Sequence, residues 1–507
     1  MESKCWTSRT RLRQGYGKAS ETWSLVAAGV VAAFYLITSI YIASHRRFYF
    51  DEILTASIAR LPNLVTIWTA LGHGADGQPP FHYMVARVFC KLSGRSEVAV
   101  RLPSALAVAA GLLITFDCAR RLTDGLHGLI GLSLVTCSFV LDYGCDARPY
   151  AMYFMLGALA LWVWTCTSPR RLGLAICFGA IFFVGVAVHY YFFLCVVPYA
   201  LWEVSNWKPW QPPSPKLIAG IAGLAASIAL LSPLILSFSQ GFSASLFRAH
   251  VSVPELMEVF SPLFPGGLFF LALIAVWIVL VNRQDASTLL QPMQSGESVS
   301  WLFLCIPLAG FVAGELKTHN FAPRYFIAVV PGVAVAFSCC VWRHFPKAFF
   351  VSLGIFLILA AGGVRKQLWI VRHPDMNLRL GNYLSFEDTL RLDGKQFSVF
   401  SNPFFFLSAQ YYSKNECILL VPSGFKQEPN QARYLPLRLV LGLSHYYPLR
   451  VGPYEFNGYA SETALIQPTP EVLNAVKQAG FEVEVRFSTP LEVVYLKPES
   501  DLIWGAH

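Results

Sequence analysis

Charged residues are scarce in this 507-residue chain: Asp, Glu, Lys and Arg make up 14%, where a soluble protein carries about a quarter. Paired cysteine motifs are missing. The twelve cysteines are scattered, mostly inside apolar runs, with no CxxC and no Cys/His ligand spacing, so neither a zinc site nor a disulfide framework is indicated. No glycine-rich nucleotide loop occurs, so a nucleotide-bound substrate has no evident cradle. No internal repeat or low-complexity linker is visible. The N-terminus is basic and then apolar, like a signal peptide, but no small-residue cleavage site comes after it; it reads as a retained signal anchor. The net charge of +9 comes from short basic clusters between apolar runs, not from a continuous patch, so nucleic-acid binding is not indicated.

What is present is hydrophobic sequence, 55% of the chain, in runs long enough to cross a bilayer, which takes ~20 residues. The expected architecture is an all-α polytopic membrane protein of about eleven transmembrane helices, with a small C-terminal α/β domain. Residues 1–22 form a basic, cytoplasmic tail. The spans are expected at 23–44, 102–118, 126–141, 149–165, 172–188, 192–202, 217–238, 268–281, 301–313, 325–341 and 348–360. This register leaves nearly every basic cluster on the cytoplasmic side. The segment 80–92 carries His82, Arg87 and Lys91, and crossing there would invert all later clusters; it is therefore read as an amphipathic helix at the outer surface. The first outer loop then runs from 45 to 101, with two or three juxtamembrane helices broken at Pro62-Asn63 and at Gly72-His73-Gly74. The membrane domain is expected over 23–362 and an extracytoplasmic α/β domain over 363–507, with strands at 397–400, 417–421, 481–487 and 491–496 and a helix at 471–480.

With this topology a set of polar residues lies at one depth on the outer side. Asp51 and Glu52 come after the first span, behind a Phe48-Tyr49-Phe50 belt. His73, Asp76, Gln78, His82 and Tyr83 lie in the same loop, and Arg101 opens the second span. Asp142, Asp146, Arg148 and Tyr150 come next, then His189-Tyr190-Tyr191, then Lys317, His319, Asn320, Arg324 and Tyr325. Two readings fit. The acidic pair is a solvated loop, Asp146 and Arg148 a local ion pair, His189 a satisfied interfacial histidine and Arg324 a headgroup anchor; or the set is an interfacial active site. In the second reading a carboxylate is general base and Arg or Lys neutralises a phosphate leaving group. Twinned aromatics such as Tyr411-Tyr412 fit belt or core packing more simply than sugar platforms.

In this order, Phe50-Asp51-Glu52, Asp76-Gly-Gln-Pro-Pro-Phe-His-Tyr83, Arg101-Leu-Pro-Ser-Ala105, Ala147-Arg-Pro-Tyr150, His189-Tyr-Tyr191 and Pro323-Arg-Tyr325 resemble the GT-C membrane glycosyltransferases. The branch is that of protein O-mannosyltransferases, aminoarabinose transferase and the RgtA/B/C/D-like lipopolysaccharide-core transferases. The resemblance implies a polyprenyl-phosphate sugar as donor, inversion at the anomeric carbon, and an acceptor hydroxyl on a glycolipid, lipopolysaccharide core, wall glycan or protein. It implies Asp51 as catalytic base, with Glu52 positioning the acceptor or supporting Asp51. Arg101, Arg148 and Arg324 are then candidates for the donor phosphate, and Asp76, Gln78, His82, Tyr83, Asp146, Tyr150, His189 and Tyr325 for substrate contacts. A divalent cation (Mg, Mn or Ca) is an open option, with Glu52, His73 and Asp76 as candidate ligands. By analogy the location is a bacterial inner membrane, N-terminus cytoplasmic. Two departures stand out: Gln78 precedes Pro79-Pro80 where the family often has His, and no Lys lies between Asp51 and Pro80, unlike the aminoarabinose enzymes.

Three rivals remain. A lipid or sugar transporter would carry ionisable groups near mid-membrane, but Asp117 and Glu315 sit close to span ends. A lipid-linked polysaccharide ligase or polymerase would lean on outer arginines and histidines and not on Asp51. A receptor or scaffold would leave the many spans without a task.

Overall fold

The structure is a computed structural model that describes residues 18–94, 96–166, 171–208, 210, 212–240, 253–263, 293–318, 321–345 and 348–373, and, beyond these, the secondary-structure elements between 398 and 498. It divides into two compact units. The first comprises 1–44, 98–232 and 247–372; the second comprises 45–97, 233–246 and 373–507.

The first unit is helical and of membrane type. Among the described residues four helices are long and apolar enough to cross a bilayer: Glu21–His45, Glu97–Leu122, Pro215–Ser237 and Phe349–Arg372. A bent pair, Ser295–Leu302 and Cys305–Leu316, kinked by 42°, makes a fifth candidate. Shorter apolar helices occupy Gly125–Cys137, Tyr150–Thr165, Leu172–Val188, Tyr190–Ser205 and Val329–His344. Every span expected from sequence therefore has a helix, except 268–281, which lies outside the described residues. The short ones fall below the ~20 residues of a straight crossing. The last long helix continues to Arg372, so the domain boundary expected at 363 falls inside it. Nothing in 364–372 breaks a helix, and its polar Lys366 and Gln367 are held from neighbouring helices: Lys366 Nζ lies 3.0 Å from Asp142 Oδ2, and Gln367 donates to Thr38 Oγ1 at 2.7 Å.

Local chemistry explains several helix ends. Asp124 starts Gly125–Cys137 by accepting from His127 N at 3.1 Å. Lys216 Nζ closes Tyr150–Thr165 by donating to the carbonyls of Val163, Trp164 and Cys166 at 3.0, 2.9 and 2.8 Å. Helices Arg171–Val188 and Pro215–Gln240 approach through backbone: a Cβ on Gly179 would meet Ala219 O at 2.8 Å, and one on Gly223 would overlap Gly179 O. Small residues are what permit that approach between apolar helices.

The second unit joins the loop after the first span to the C-terminal part of the chain, two segments that the sequence reading assigns to different domains. The loop forms three helices, Phe50–Ala59, Leu64–Gly72 and Phe81–Ser93, with breaks at Pro62-Asn63 and at Gly72-His73-Gly74. Asn63 caps the second helix, accepting from Thr66 N at 2.8 Å. In Phe81–Ser93 the polar side is turned inward. His82 and Arg87 are buried while Val88 and Leu92 are exposed. Arg87 donates to the carbonyls of Ala59, Leu61 and Pro62, closing the end of the first loop helix.

The C-terminal part contributes strands β1 (Ser398–Phe400), β2 (Cys417–Val421), β3 (Arg450–Pro453), β4 (Thr463–Ile466), β5 (Phe481–Phe487) and β6 (Val493–Pro498). They form one sheet in the order β3-β2-β1-β4-β6-β5. The β3-β2-β1-β4 side is parallel, with Val399 opposite Ile418 and Leu465; β4-β6 and β6-β5 are antiparallel. The all-apolar Cys417-Ile-Leu-Leu-Val421 suits an interior parallel strand, and the alternating Phe481-Glu-Val-Glu-Val-Arg-Phe487 suits the edge. The short β3 and β4 lack a run long enough to be recognised in sequence. The helix expected at 471–480 lies almost wholly outside the described residues. Helix Pro403–Tyr412 packs on the loop helices. Tyr412 Oη accepts from Phe48 N at 2.6 Å and donates to Glu97 Oε1 at 2.8 Å, and Tyr447 Oη donates to Ser57 O at 2.6 Å.

Candidate functional site

The expected site residues fall into two groups, one in each unit.

In the second unit, Asp51 and Glu52 sit in the first turn of Phe50–Ala59, where a carboxylate meets the positive end of the helix dipole. Their environments differ. Asp51 is half-buried. Glu52 is fully buried; its Oε2 accepts from Tyr49 N at 3.3 Å and lies 3.6 Å from Arg46 Nη2, itself buried. Glu52 therefore caps its helix and balances Arg46.

Asp76 is also buried. Its Oδ1 accepts from Gly77 N at 2.6 Å and its Oδ2 from Tyr83 Oη at 2.6 Å. The turn 76–80 is thereby tied to the helix Phe81–Ser93, with Gln78 half-buried between the two ends. His82 lies edge-on to Tyr83 with ring centroids 6.0 Å apart. His73 is exposed and turns to the C-terminal part: its Nδ1 is 2.9 Å from Tyr446 Oη, and its ring is 5.3 Å from that of His445. Among the described residues no group of three His, Cys, Asp or Glu side chains is arranged to hold a metal ion. Glu52, His73 and Asp76 do not fit a common cation. Tyr411 and Tyr412 lie beneath guanidinium groups, Arg60 5.2 Å above the first ring and Arg47 5.7 Å above the second.

In the first unit, Arg101 does not occupy a loop end. It lies inside helix Glu97–Leu122, is fully buried, and donates from Nη1 to Ala43 O at 3.0 Å. It closes the end of helix Lys18–His45. Asp142 is held by Lys366. The side chains of Lys317, His319 and Asn320 lie outside the described residues.

Arg148, Tyr150, His189, Arg324 and Tyr325 do come together, around one histidine. His189 links helix Arg171–Val188 to the short 3-10 helix Tyr190–Val196 and is buried. Its Nδ1 accepts from Tyr191 N at 3.2 Å, so the ring proton resides on Nε2. Tyr153 stacks on the imidazole at 5.1 Å; Tyr150 and Tyr325 flank it at 5.3 and 5.5 Å. Tyr153 Oη, 3.0 Å from Tyr325 O and 3.2 Å from Tyr191 O, ties the two aromatic segments together. Arg324 is exposed and lies over Tyr325 and Tyr150, 5.4 and 6.0 Å from the ring centroids. Arg148 is buried, its carbonyl accepting from Ser104 Oγ at 3.2 Å. Burial first, and then the charges of Arg148 and Arg324, push His189 down to about 3 from its usual value near 6.5. The imidazole is neutral at physiological pH. Burial also raises the Tyr143 phenol, which stands against Tyr150 at 4.9 Å and feels both Asp146 and Arg324.

This is an aromatic-walled cluster with two permanent cations and a neutral N–H donor, the composition that favours an oxyanion. Tyr143 and Tyr153 were not singled out from sequence. Tyr153 is one helical turn after Tyr150, and that spacing is the one signal that could have found it.

Residues 77–235 match the family model described as dolichyl-phosphate-mannose-protein mannosyltransferase. Among solved structures, ArnT from Cupriavidus metallidurans bound to undecaprenyl phosphate superposes with a TM-score of 0.61 at 13% identity, over 96% of this chain and 100% of that chain. The same protein in the apo state gives 0.61 at 12% identity, over 95% and 99%. At these identities the likeness is one of fold. A comparison with curated proteins finds no match.

Proposed function

The chain has the GT-C fold of membrane glycosyltransferases, and on that premise we propose that it moves a sugar from a polyprenyl-phosphate donor to an acceptor hydroxyl at the outer face of a bacterial inner membrane, with inversion. The observation that carries this reading is that the stretch matching the mannosyltransferase model contains Arg148, Tyr150 and His189, the heart of the oxyanion-suited cluster. The fold relative solved with undecaprenyl phosphate supports the same donor class here. The N-terminal tail is placed in the cytoplasm and the C-terminal α/β part outside, from the distribution of basic residues.

In the proposed step Asp51 takes the proton of the acceptor hydroxyl. The acceptor oxygen bonds to the anomeric carbon as the bond from that carbon to the phosphate oxygen breaks, and the electron pair leaves with the prenyl phosphate. Arg148 and Arg324 stabilise that phosphate. Tyr150, Tyr325, Asp146, Asp76, Gln78, His82 and Tyr83 are assigned to substrate contacts or to the support of such contacts. The acceptor is a glycolipid, a lipopolysaccharide core, a wall glycan or a protein. Of the two first-loop carboxylates, Asp51 is assigned as the base and Glu52, buried against Arg46, as its support or as a residue that positions the acceptor.

The test is single-turnover transfer in nanodiscs with a panel of polyprenyl-phosphate sugars. Asp51→Asn is expected to bind donor normally and to transfer at least ~10²-fold more slowly, the usual scale for losing a general base. Transfer at the wild-type rate would move the chemistry to the arginine and histidine cluster. That is the second reading, a lipid-linked polysaccharide ligase, and the presence of His189 beside two arginines favours it over the transporter.

A further inference from the structure

The His189 imidazole is committed on one side only. Its Nδ1 receives the Tyr191 N–H, which leaves the ring proton on Nε2. Nε2 is buried and has no hydrogen-bond partner among the described residues. Leaving a buried donor without an acceptor costs its desolvation, so proteins rarely keep one without a use. The neighbours do not offer relief. Tyr150, Tyr153, Tyr191 and Tyr325 present rings to the imidazole, and the charged groups that act on it are the guanidinium ions of Arg148 and Arg324. Guanidinium is a donor without acceptor capacity. Among the described residues no acceptor meets this N–H, and an anionic ligand beside the two guanidinium groups would supply one.

We propose that His189 Nε2–H is the third donor of an oxyanion subsite completed by Arg148 and Arg324, and that it hydrogen-bonds a phosphate oxygen of a prenyl phosphate. This rests on the functional reading above and deepens it, because it gives a part of the subsite to a directional N–H donor and not to a third guanidinium. Two arginines supply charge wherever the phosphate sits. A single N–H whose direction is locked by the Tyr191 N–H to Nδ1 bond supplies a position. The same phosphate chemistry is offered by a lipid phosphate and by the free ion. The stacked tyrosines around His189 favour the lipid-linked source, since they provide apolar wall beside the anion.

The experiment uses the full-length protein in nanodiscs and two probes, farnesyl phosphate and inorganic phosphate. The first measurement is nitrogen-15 NMR of histidine-labelled wild type, with His189→Phe identifying the signal. Farnesyl phosphate is expected to move the His189 Nε2–H proton downfield while Nδ1 stays unprotonated. A bound probe with an unmoved His189 signal overturns the proposal. The second is affinity. His189→Phe keeps an aromatic ring and removes the donor; it is expected to weaken farnesyl phosphate about tenfold or more, the scale of a hydrogen bond to a charged group. His189→Gln, which retains an N–H, is expected to recover most of the loss. Equal affinity in wild type and His189→Phe overturns the proposal. So does a preference for inorganic phosphate over farnesyl phosphate, because the site would then serve the free ion. Sugar transfer is scored separately. Farnesyl phosphate binding through His189 without transfer from any polyprenyl-phosphate sugar would sink the glycosyltransferase reading and leave the subsite standing.

Discussion

The Glu52 carboxylate lies 3.6 Å from the Arg46 guanidinium with both side chains buried, and it also accepts the Tyr49 N–H. Removing one member of a buried ion pair strands the other, at a cost of roughly 3–5 kcal/mol. Glu52→Ala is therefore expected to lower the thermal midpoint strongly, and Glu52→Gln, which can still accept from Tyr49 N, to lower it less. Asp51→Asn is expected to leave the midpoint within a degree or two. A thermal scan of the three variants in one detergent separates the structural carboxylate from the chemical one; equal losses at both positions would contradict the division of roles.

Tyr83 Oη and Gly77 N share the two oxygens of Asp76. Tyr83→Phe deletes one donor to a buried carboxylate and is expected to cost about 1–3 kcal/mol of stability. The turn 76–80 is held by this bond, so KM for the donor sugar should rise more than kcat falls. Steady-state kinetics on the variant check this, and an unchanged KM would detach the turn from substrate binding.

Burial beside two arginines holds His189 down to about 3. Its ordinary pKa in an unfolded chain is about 6.5. The unfolded state thus binds more protons between these values, and stability falls as pH drops from about 6.5 toward 3. Wild type should lose thermal midpoint over that window more steeply than His189→Phe, whose ring does not titrate. Parallel curves would mean that His189 protonates as readily in the folded protein as outside it.

Arg324 is exposed and stacked on tyrosine rings, whereas Arg148 is buried. Arg324→Gln is expected to fold normally and weaken donor binding tenfold or more. Arg324→Lys should recover only part, since an ammonium keeps the charge but not the planar stacking fork. Donor titrations monitored by tryptophan fluorescence decide it; full recovery by lysine would reduce Arg324 to a point charge.

Gly223 faces the Gly179 carbonyl with no room for a Cβ. Gly223→Ala must push helices Arg171–Val188 and Pro215–Gln240 apart, and overpacking of this kind costs about 1–3 kcal/mol. Gly173→Ala, where a Cβ would meet nothing within 4 Å, is the control and should be neutral. Thermal midpoints of the pair test the contact.

The membrane class and most helix positions were legible because hydrophobic runs report burial or lipid directly, one residue at a time. The loop helices were legible for a related reason: Pro62-Asn63 and Gly72-His73-Gly74 are local breakers, and the helices stop there. Roles were less legible. Asp51 and Glu52 are adjacent and chemically alike, and Arg101, Arg148 and Arg324 look equivalent in a string. Glu52 is committed to an arginine six residues earlier, and Arg101 to a carbonyl 58 residues away. Neither partner has a sequence signature.

The chain alone determined the features that composition and period encode: apolar helices of membrane type, polar punctuation between them, a late stretch of β-forming runs, and the ordered motifs that resemble the GT-C transferases. Folding decided which polar groups meet. It joined the loop 45–97 to the C-terminal α/β part, turned the polar side of Phe81–Ser93 inward, dispersed the three candidate metal ligands, and gathered Arg148, His189 and Arg324 among tyrosines. The physical reason is range. Hydrophobicity and backbone propensity act within a few residues and can be read in order, whereas hydrogen bonds and ion pairs depend on distances of a few ångströms that only the folded chain sets.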